Sequence, residues 1–273
     1  MWLAEQDSGI AVILPMYGLV FVLVLPFIGL RARPLAFLAG TWAVLGPIGF
    51  RVIETRMPTG DVFGWTALER LLVSGEYPAL LWIVYFLAGL AVGRLDLSST
   101  RVAVRLLAGG TGLAILATVI SDAFMLRPSI LRTLASEVGP QVTTGDIQGA
   151  LAGGFGGFIP RGSWWWLTTH TPHSGTPFDF AQTIGSALAV IGACLLIGRA
   201  IPRLTAVIFG AGTMTLTLYS LHVLMNTKAV WPDDVPASFP IHVLVVLGIG
   251  GFFRLLGRRG PRDGRWLDIA SHH

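Results

Sequence analysis

Residues 180–198 read FAQTIGSALAVIGACLLIG, with no charged side chain between Asp179 and Arg199. A helix that crosses a bilayer needs about 20 mainly apolar residues, because the hydrocarbon is roughly 30 Å thick and each residue rises about 1.5 Å. A run of small and aliphatic residues closed by an acid at one end and a base at the other therefore reads as a transmembrane helix. Working outward, six more stretches fit, at 10–30, 34–50, 77–93, 106–125, 204–226 and 240–256. Backbone in lipid must satisfy its own hydrogen bonds, and the alternating pattern of a barrel strand is absent. The expected fold is all-α: one polytopic transmembrane bundle over 1–273 with about seven spans, multi-pass in the cytoplasmic membrane of the cell, with the lipid bilayer as its first partner.

Composition agrees. The chain is 53% hydrophobic and only 12% charged, with mean hydropathy +0.69, whereas about a quarter of the residues in soluble domains are charged. The 34 glycines and 16 prolines punctuate apolar runs, as they do in membrane helices. A net charge of +4 and a pI near 9.8 would suit a nucleic-acid binder, but the bases sit at the ends of apolar runs and no nucleic-acid-binding motif accompanies them. The single cysteine, Cys194, can form no intrachain disulfide.

Orientation follows from arginine placement, since basic loops stay cytoplasmic. Arg31, Arg33, Arg94, Arg101, Arg105, Arg199, Arg203, Arg254, Arg258, Arg259, Arg262 and Arg265 follow spans one, three, five and seven, and make up twelve of the 19 basic residues. Of the 15 acidic residues, twelve fall at the N-terminus and in the loops on the other side. The N-terminus is expected outside, and the tail at about 257–273 inside. Two long extracytoplasmic loops result, at about 51–76 and 126–179. The first contains a Thr66-x-x-Glu69 capping box that predicts a short amphipathic helix on the membrane surface. The second holds Gly153, Gly154, Gly156 and Gly157, then Trp164, Trp165 and Trp166, then His170 and His173. Loops of this length are usually functional or disordered.

Polar groups inside spans face partners, cavities or substrates. In span six Thr215, Tyr219, His222 and Asn226 recur at 4, 3 and 4, an arc of roughly 60° on one helix face. The stripe reads either as interhelical packing or as a cavity lining in which His222 handles protons. At the outer end of span five Asp179, Gln182, Thr183 and Ser186 share a face. Asp179 reads as an N-terminal helix charge or as part of a site, and His173, in the rigid turn Pro172-His173-Ser174-Gly175-Thr176-Pro177, reads as a base or as a loop residue in an aromatic belt. The tryptophans suit an interfacial anchor, with Trp165 stacking on a sugar or acyl chain as the other reading. No P-loop, dinucleotide fingerprint or Cys cluster occurs, and His170 with His173 lacks nearby Cys or Glu ligands, so no metal is expected.

Further residues form a recognisable pattern. Glu76-Tyr77-Pro78 leads through Trp82 and Tyr85 to Leu90-Ala91-Val92-Gly93-Arg94-Leu95-Asp96. Then come Pro172-His173-Ser174-Gly175-Thr176-Pro177-Phe178-Asp179, Gly185-Ser186-Ala187-Leu188-Ala189, and Met214-Thr215-Leu216-Thr217-Leu218-Tyr219 with His222. Together they resemble a family of bacterial polytopic proteins grouped with heparan-α-glucosaminide N-acetyltransferase and a neighbouring membrane family of unknown function. The resemblance covers most of 10–262. It implies passage of an acyl group from a cytoplasmic coenzyme A thioester to a cell-envelope sugar or lipid, with no permanently bound cofactor. On that expectation His222, His173 and Asp179 are the catalytic candidates, and Thr215, Tyr219, Asn226, Gln182 and Trp165 the substrate-binding ones. A non-enzymatic transporter or flippase-like bundle is the alternative. Family members open with helices bearing an Asp-x-x-Arg-Gly pattern and a histidine, which this sequence lacks; with an N-terminus expected outside and no export signal, an odd number of helices upstream of Met1, three by preference, is expected.

Overall fold

A computed structural model describes residues 14–56, 72, 77–154, 160, 162–225, 227 and 239–256. The Thr66 capping box, Gly156, Gly157, Asn226 and the tail lie outside the described residues. Those described are helical, with no strand among them: α1 Leu14–Val24, α2 Ala32–Arg56, α3 Ala79–Gly93, α4 Thr100–Met125, α5 Pro128–Val138, α6 Thr144–Gly153, α7 Pro177–Ala200, α8 Pro202–Ile208, α9 Thr215–Met225 and α10 Phe239–Leu255. Three of them, α2 over Ala32–Val52, α4 and α7, are long and apolar enough to cross a bilayer, as expected of a membrane protein. Met16–Phe27, Ala79–Gly93, Thr215–Met225 and Phe239–Leu255 are apolar but shorter. Outward residues such as Phe37, Ile115, Leu116, Val119 and Val190 are more than half exposed, a surface that suits lipid better than water.

The helices fall into two compact units, 13–195 and, among the described residues, 196 onward. In the first, α1, α2 and α3 share a core of Val20, Leu35, Val84 and Leu87. Trp42 Nε1 donates to the Leu80 carbonyl at 2.6 Å and ties α2 to α3. Glycine brings α4 and α7 close together. A Cβ on Gly110 would stand 2.5 Å from the Ala189 nitrogen, and one on Gly185 would stand 2.6 Å from the Ala114 nitrogen. Membrane helices use small residues in this way to let backbones touch, because lipid removes the hydrophobic drive for association.

The long loop after α4 is not structureless. α5 and α6 fold within it; α5 is amphipathic and buries Ile130, Leu131 and Leu134, with Ile147 of α6, around Trp166. A capping box starts α6: Thr143 N and Oγ1 donate to Asp146 Oδ2 at 2.8 and 2.7 Å, and Asp146 N donates to Thr143 Oγ1 at 3.2 Å. The Thr143 hydroxyl bond holds the Asp146 carboxyl below its ordinary pKa. A 3₁₀ turn over Trp164–Thr168 points successive indoles in different directions. Trp166 is fully buried, while Trp164 and Trp165 are 53% and 39% exposed. The expected anchor of three tryptophans is therefore at most two, with the third serving as a core residue. Arg51 of α2 positions this turn, donating to the Pro160 and Ser163 carbonyls at 2.8 Å each.

In the second unit the expected continuous helix over 204–226 is broken. α8 ends at Ile208, a 3₁₀ turn spans Gly210–Thr213, and α9 begins at Thr215. Two glycines within four residues favour the break, since Gly is about 1 kcal/mol worse than Ala in a helix. It also seats Gly210 on α10, where an added Cβ would lie 2.6 Å from the Gly250 carbonyl oxygen.

The α4–α7 contact makes a prediction. Gly185→Leu should cost about 1–3 kcal/mol or more by overpacking and lower folded yield in membranes. Gly109→Leu, where an added Cβ meets nothing within 4 Å, should leave folded yield near wild type by size-exclusion profile. Equal losses would remove the close contact from the account.

Candidate functional site

The site is built where the chain turns into α7. Thr171 accepts from Ser174 N at 3.1 Å across Pro172 and His173, and His173 has φ +60°. Proline at the second position with a positive φ at the third is the signature of a type II turn, where glycine or asparagine normally stands. A histidine held there is strained by roughly 1–2 kcal/mol, and strain of this kind concentrates at functional sites.

A chain of hydroxyls fixes the turn on the helix. Thr176 Oγ1 donates to the Thr169 carbonyl at 2.5 Å, so its lone pairs accept from Asp179 N at 3.1 Å and Ser174 Oγ at 3.3 Å. Thr171 Oγ1 donates to the Leu151 carbonyl at 3.0 Å, which makes Thr169 Oγ1 the donor in the 2.5 Å bond between the two hydroxyls. Thr176 caps α7, and Pro177 follows at the first helical position, where its missing N–H costs nothing. All three threonines are buried.

Asp179, 3% exposed, closes the arrangement. Its Oδ2 accepts from Gly175 N at 2.9 Å and its Oδ1 from Thr183 Oγ1 at 3.2 Å. Gly175 has φ +64°, a conformation glycine adopts freely. Asp179 therefore stands as the charge foreseen at the start of a helix, its carboxyl pinned by two donors.

Asp179, His173, Gln182 and Thr183 line a cavity of about 370 Å³ with Pro172, Tyr17, Trp82, Tyr85 and Phe86. His173 stacks on Trp82 at 6.1 Å and 15°, and meets Tyr77 edge-on at 6.0 Å. Trp82 touches Tyr85, which packs on Phe180. The imidazole lies parallel to an indole and is exposed at the cavity, a placement that suits accepting a proton from a bound hydroxyl or amine. The structure brings the candidates His173, Asp179 and Gln182 to one cavity, together with Tyr17, Trp82 and Tyr85. Trp165 does not line this cavity; it packs on Phe124 at 6.0 Å.

On the other side of the same turn Asp122, Gln148, Thr169, His170 and Thr171 line a second cavity of about 310 Å³. Ser121 Oγ gives its proton to the Thr168 carbonyl at 2.6 Å, so in its 3.1 Å contact with His170 Nδ1 it must accept. Asp122 Oδ1 lies 3.7 Å from the same nitrogen. Serine and aspartate both meet one nitrogen of the ring, which is not the relay of a hydrolase triad.

The remaining candidates belong to the second unit. Thr215 is exposed, and Tyr219 and His222 are half-buried on α9; the stripe foreseen as wholly inward faces partly outward, because Leu218, Val223 and Met225 take the buried positions. His222 Nδ1 lies 3.2 Å from Nδ1 of His242 on α10, with rings 5.2 Å apart. His242 was overlooked in the sequence, although a histidine inside an apolar span is itself a signal.

No protein-family model, curated protein or solved structure matches the chain.

Asp179 predicts a pair of results. Asp179→Ala leaves Gly175 N and Thr183 Oγ1 without their acceptor in a buried place, which costs about 1–3 kcal/mol. Asp179→Asn can accept from Gly175 N with its oxygen and donate to Thr183 with its amide. Thermal unfolding in nanodiscs should show a clear fall for the alanine variant and a much smaller one for asparagine. Identical curves for both would mean the carboxylate does not organise the turn.

Proposed function

We propose that this protein is a multi-pass transferase of the cytoplasmic membrane that moves an acyl group from a coenzyme A thioester to a hydroxyl- or amine-bearing envelope sugar or lipid. The observation that carries the reading is the cavity at the head of α7, where an imidazole, a carboxylate, a phenol and an amide converge beside aromatic faces. The resemblance of the Pro172–Asp179 segment to membrane acyltransferases supports it independently.

In this reading the acceptor sits on the aromatic face, and His173 takes its O–H or N–H proton as the acceptor attacks the thioester carbonyl. The new acyl–oxygen or acyl–nitrogen bond forms as the carbon–sulfur bond breaks. Coenzyme A leaves as thiolate and regains a proton from the imidazolium. Asp179 stabilises that imidazolium by its charge, and Tyr85 and Gln182 donate to the carbonyl oxygen as it becomes anionic. The cavity opens outside, and the thioester reaches it from the cytoplasmic face.

A transporter is favoured by a different observation, the broken helix at Gly210–Thr213 in the unit that also holds the His222–His242 pair. Interrupted helices near polar residues are common at the binding sites of transporters.

The two readings separate in proteoliposomes supplied with radiolabelled acetyl-coenzyme A and membrane lipid extract. Acyl transfer predicts release of free coenzyme A thiol, falling at least about 100-fold in His173→Gln, the usual worth of a general base, with His222→Ala much less affected. No thiol release and no coenzyme A binding, together with a proton-coupled uptake abolished by His222→Ala, would establish the transporter instead.

A further inference from the structure

α1 and α3 leave a groove between them that no described element covers. Its volume is about 720 Å³, and its walls are Phe21, Val24, Leu25, Phe86 and Leu90. Its floor is made by Gly89 and Gly93, one helical turn apart on α3, and a Cβ added to either would meet nothing within 4 Å. Paired glycines at this spacing ordinarily let another helix approach. Here they open a channel into which a flexible chain can sink.

The groove is polar at its ends alone. Tyr17 and Tyr85 close one end, and Arg94 closes the other. An Arg94 Nη2 donates to the Ile28 carbonyl, which locks the guanidinium to the turn between α1 and α2. Arg31 follows in that turn and Arg33 in the first turn of α2, and Arg101 and Arg105 lie in the first turns of α4; all are exposed. The one acid among them, Asp96, accepts from Ser98 N and Ser98 Oγ. The groove thus has an apolar length with a cationic end at Arg94, the complement of an anionic amphiphile.

Its length narrows the occupant. From Tyr85 to Arg94 is nine residues, about 14 Å at 1.5 Å per residue, close to the roughly 15 Å depth of one leaflet of a 30 Å hydrocarbon core. We propose that the α1–α3 groove is a binding site for one anionic phospholipid of the bilayer, with an acyl chain along Gly89 and Gly93 and its phosphate on Arg94. Bases beside a membrane attract anionic headgroups, and the groove adds a seat for the chain. Bound there, the lipid completes the packing of α1 on α3. The groove shares Tyr17, Tyr85 and Phe86 with the cavity at His173, whereas Gly89 and Arg94, which the test changes, line the groove alone.

The test uses the full chain in nanodiscs of dioleoylphosphatidylglycerol or dioleoylphosphatidylcholine, followed by native mass spectrometry after release into detergent. The wild type should retain one phosphatidylglycerol per chain and at least tenfold less phosphatidylcholine. Gly89→Leu starts from a Cβ position with nothing within 4 Å and fills the open floor, so it should fold normally by thermal unfolding and lose retention at least tenfold. Arg94→Gln should erase the preference between headgroups. Equal retention of both lipids by the wild type, or full phosphatidylglycerol retention by folded Gly89→Leu, overturns the proposal. So does displacement of the signal by inorganic phosphate alone, which would indicate an anion site without a chain. A change from dimer to monomer in Gly89→Leu with lipid retention intact also overturns it and makes the groove an interface between copies.

Discussion

Direct backbone contact between α4 and α7 is the constraint on which the first unit, 13–195, depends. At Gly110, Gly185 and Gly192 any side chain would collide with the facing helix backbone, so the two helices can meet at this separation only while those positions stay glycine. Dispersion between closely approaching backbones replaces the hydrophobic drive that lipid cannot supply. Once α7 is fixed on α4, its N-terminus has one place to be. The buried hydroxyls of Thr169, Thr171 and Thr176 then hold the preceding turn on that N-terminus. His173 is forced into a left-handed conformation at its tip, and Asp179 is locked beneath it.

This order of dependence explains why two cavities share one short segment. Between Thr169 and His173 the chain runs as a strap, with the buried Thr171 tied to Leu151 of α6. His170 lies on the side of Ser121 and Asp122, and His173 on the side of Trp82 and Tyr85. The stability of the strap comes from neutral hydroxyls, each with its single proton committed to a named acceptor. The ionisable groups are thereby left to face the cavities.

Much of the helical content was legible from the sequence, because long uncharged runs admit few structures in lipid. The runs containing α2, α4 and α7 needed only length and composition. The break at Gly210–Thr213 was less visible, since Gly210 and Gly212 lie in an otherwise apolar run and glycine is common within membrane helices. The helices α5 and α6 were less legible for a different reason: both are short and lie in a loop rich in Gly and Trp, where the spacing of Ile130, Leu131 and Leu134 is the main helical signal. In the site, Asp179, Gln182 and Thr183 followed from helical periodicity, and His173 from its turn. Tyr85, Tyr17 and Ser121 did not, because they are brought in by helix packing over long sequence separations. Trp166 was misread because three adjacent tryptophans look alike until the turn assigns each a direction.

The functional reading rests on which face of the membrane the strap and its cavities occupy. In the proposed orientation the C-terminal end of α4 and the strap are outside, and the turn before α4 is inside. With Cys194 replaced by serine, single cysteines at Ser129 and Ser98, both exposed, report the two ends of α4 to a membrane-impermeant maleimide. The account predicts that Ser129→Cys is labelled in intact cells and that Ser98→Cys is labelled only after permeabilisation. Labelling of Ser98→Cys in intact cells with Ser129→Cys protected would place the His173 cavity in the cytoplasm and contradict the account.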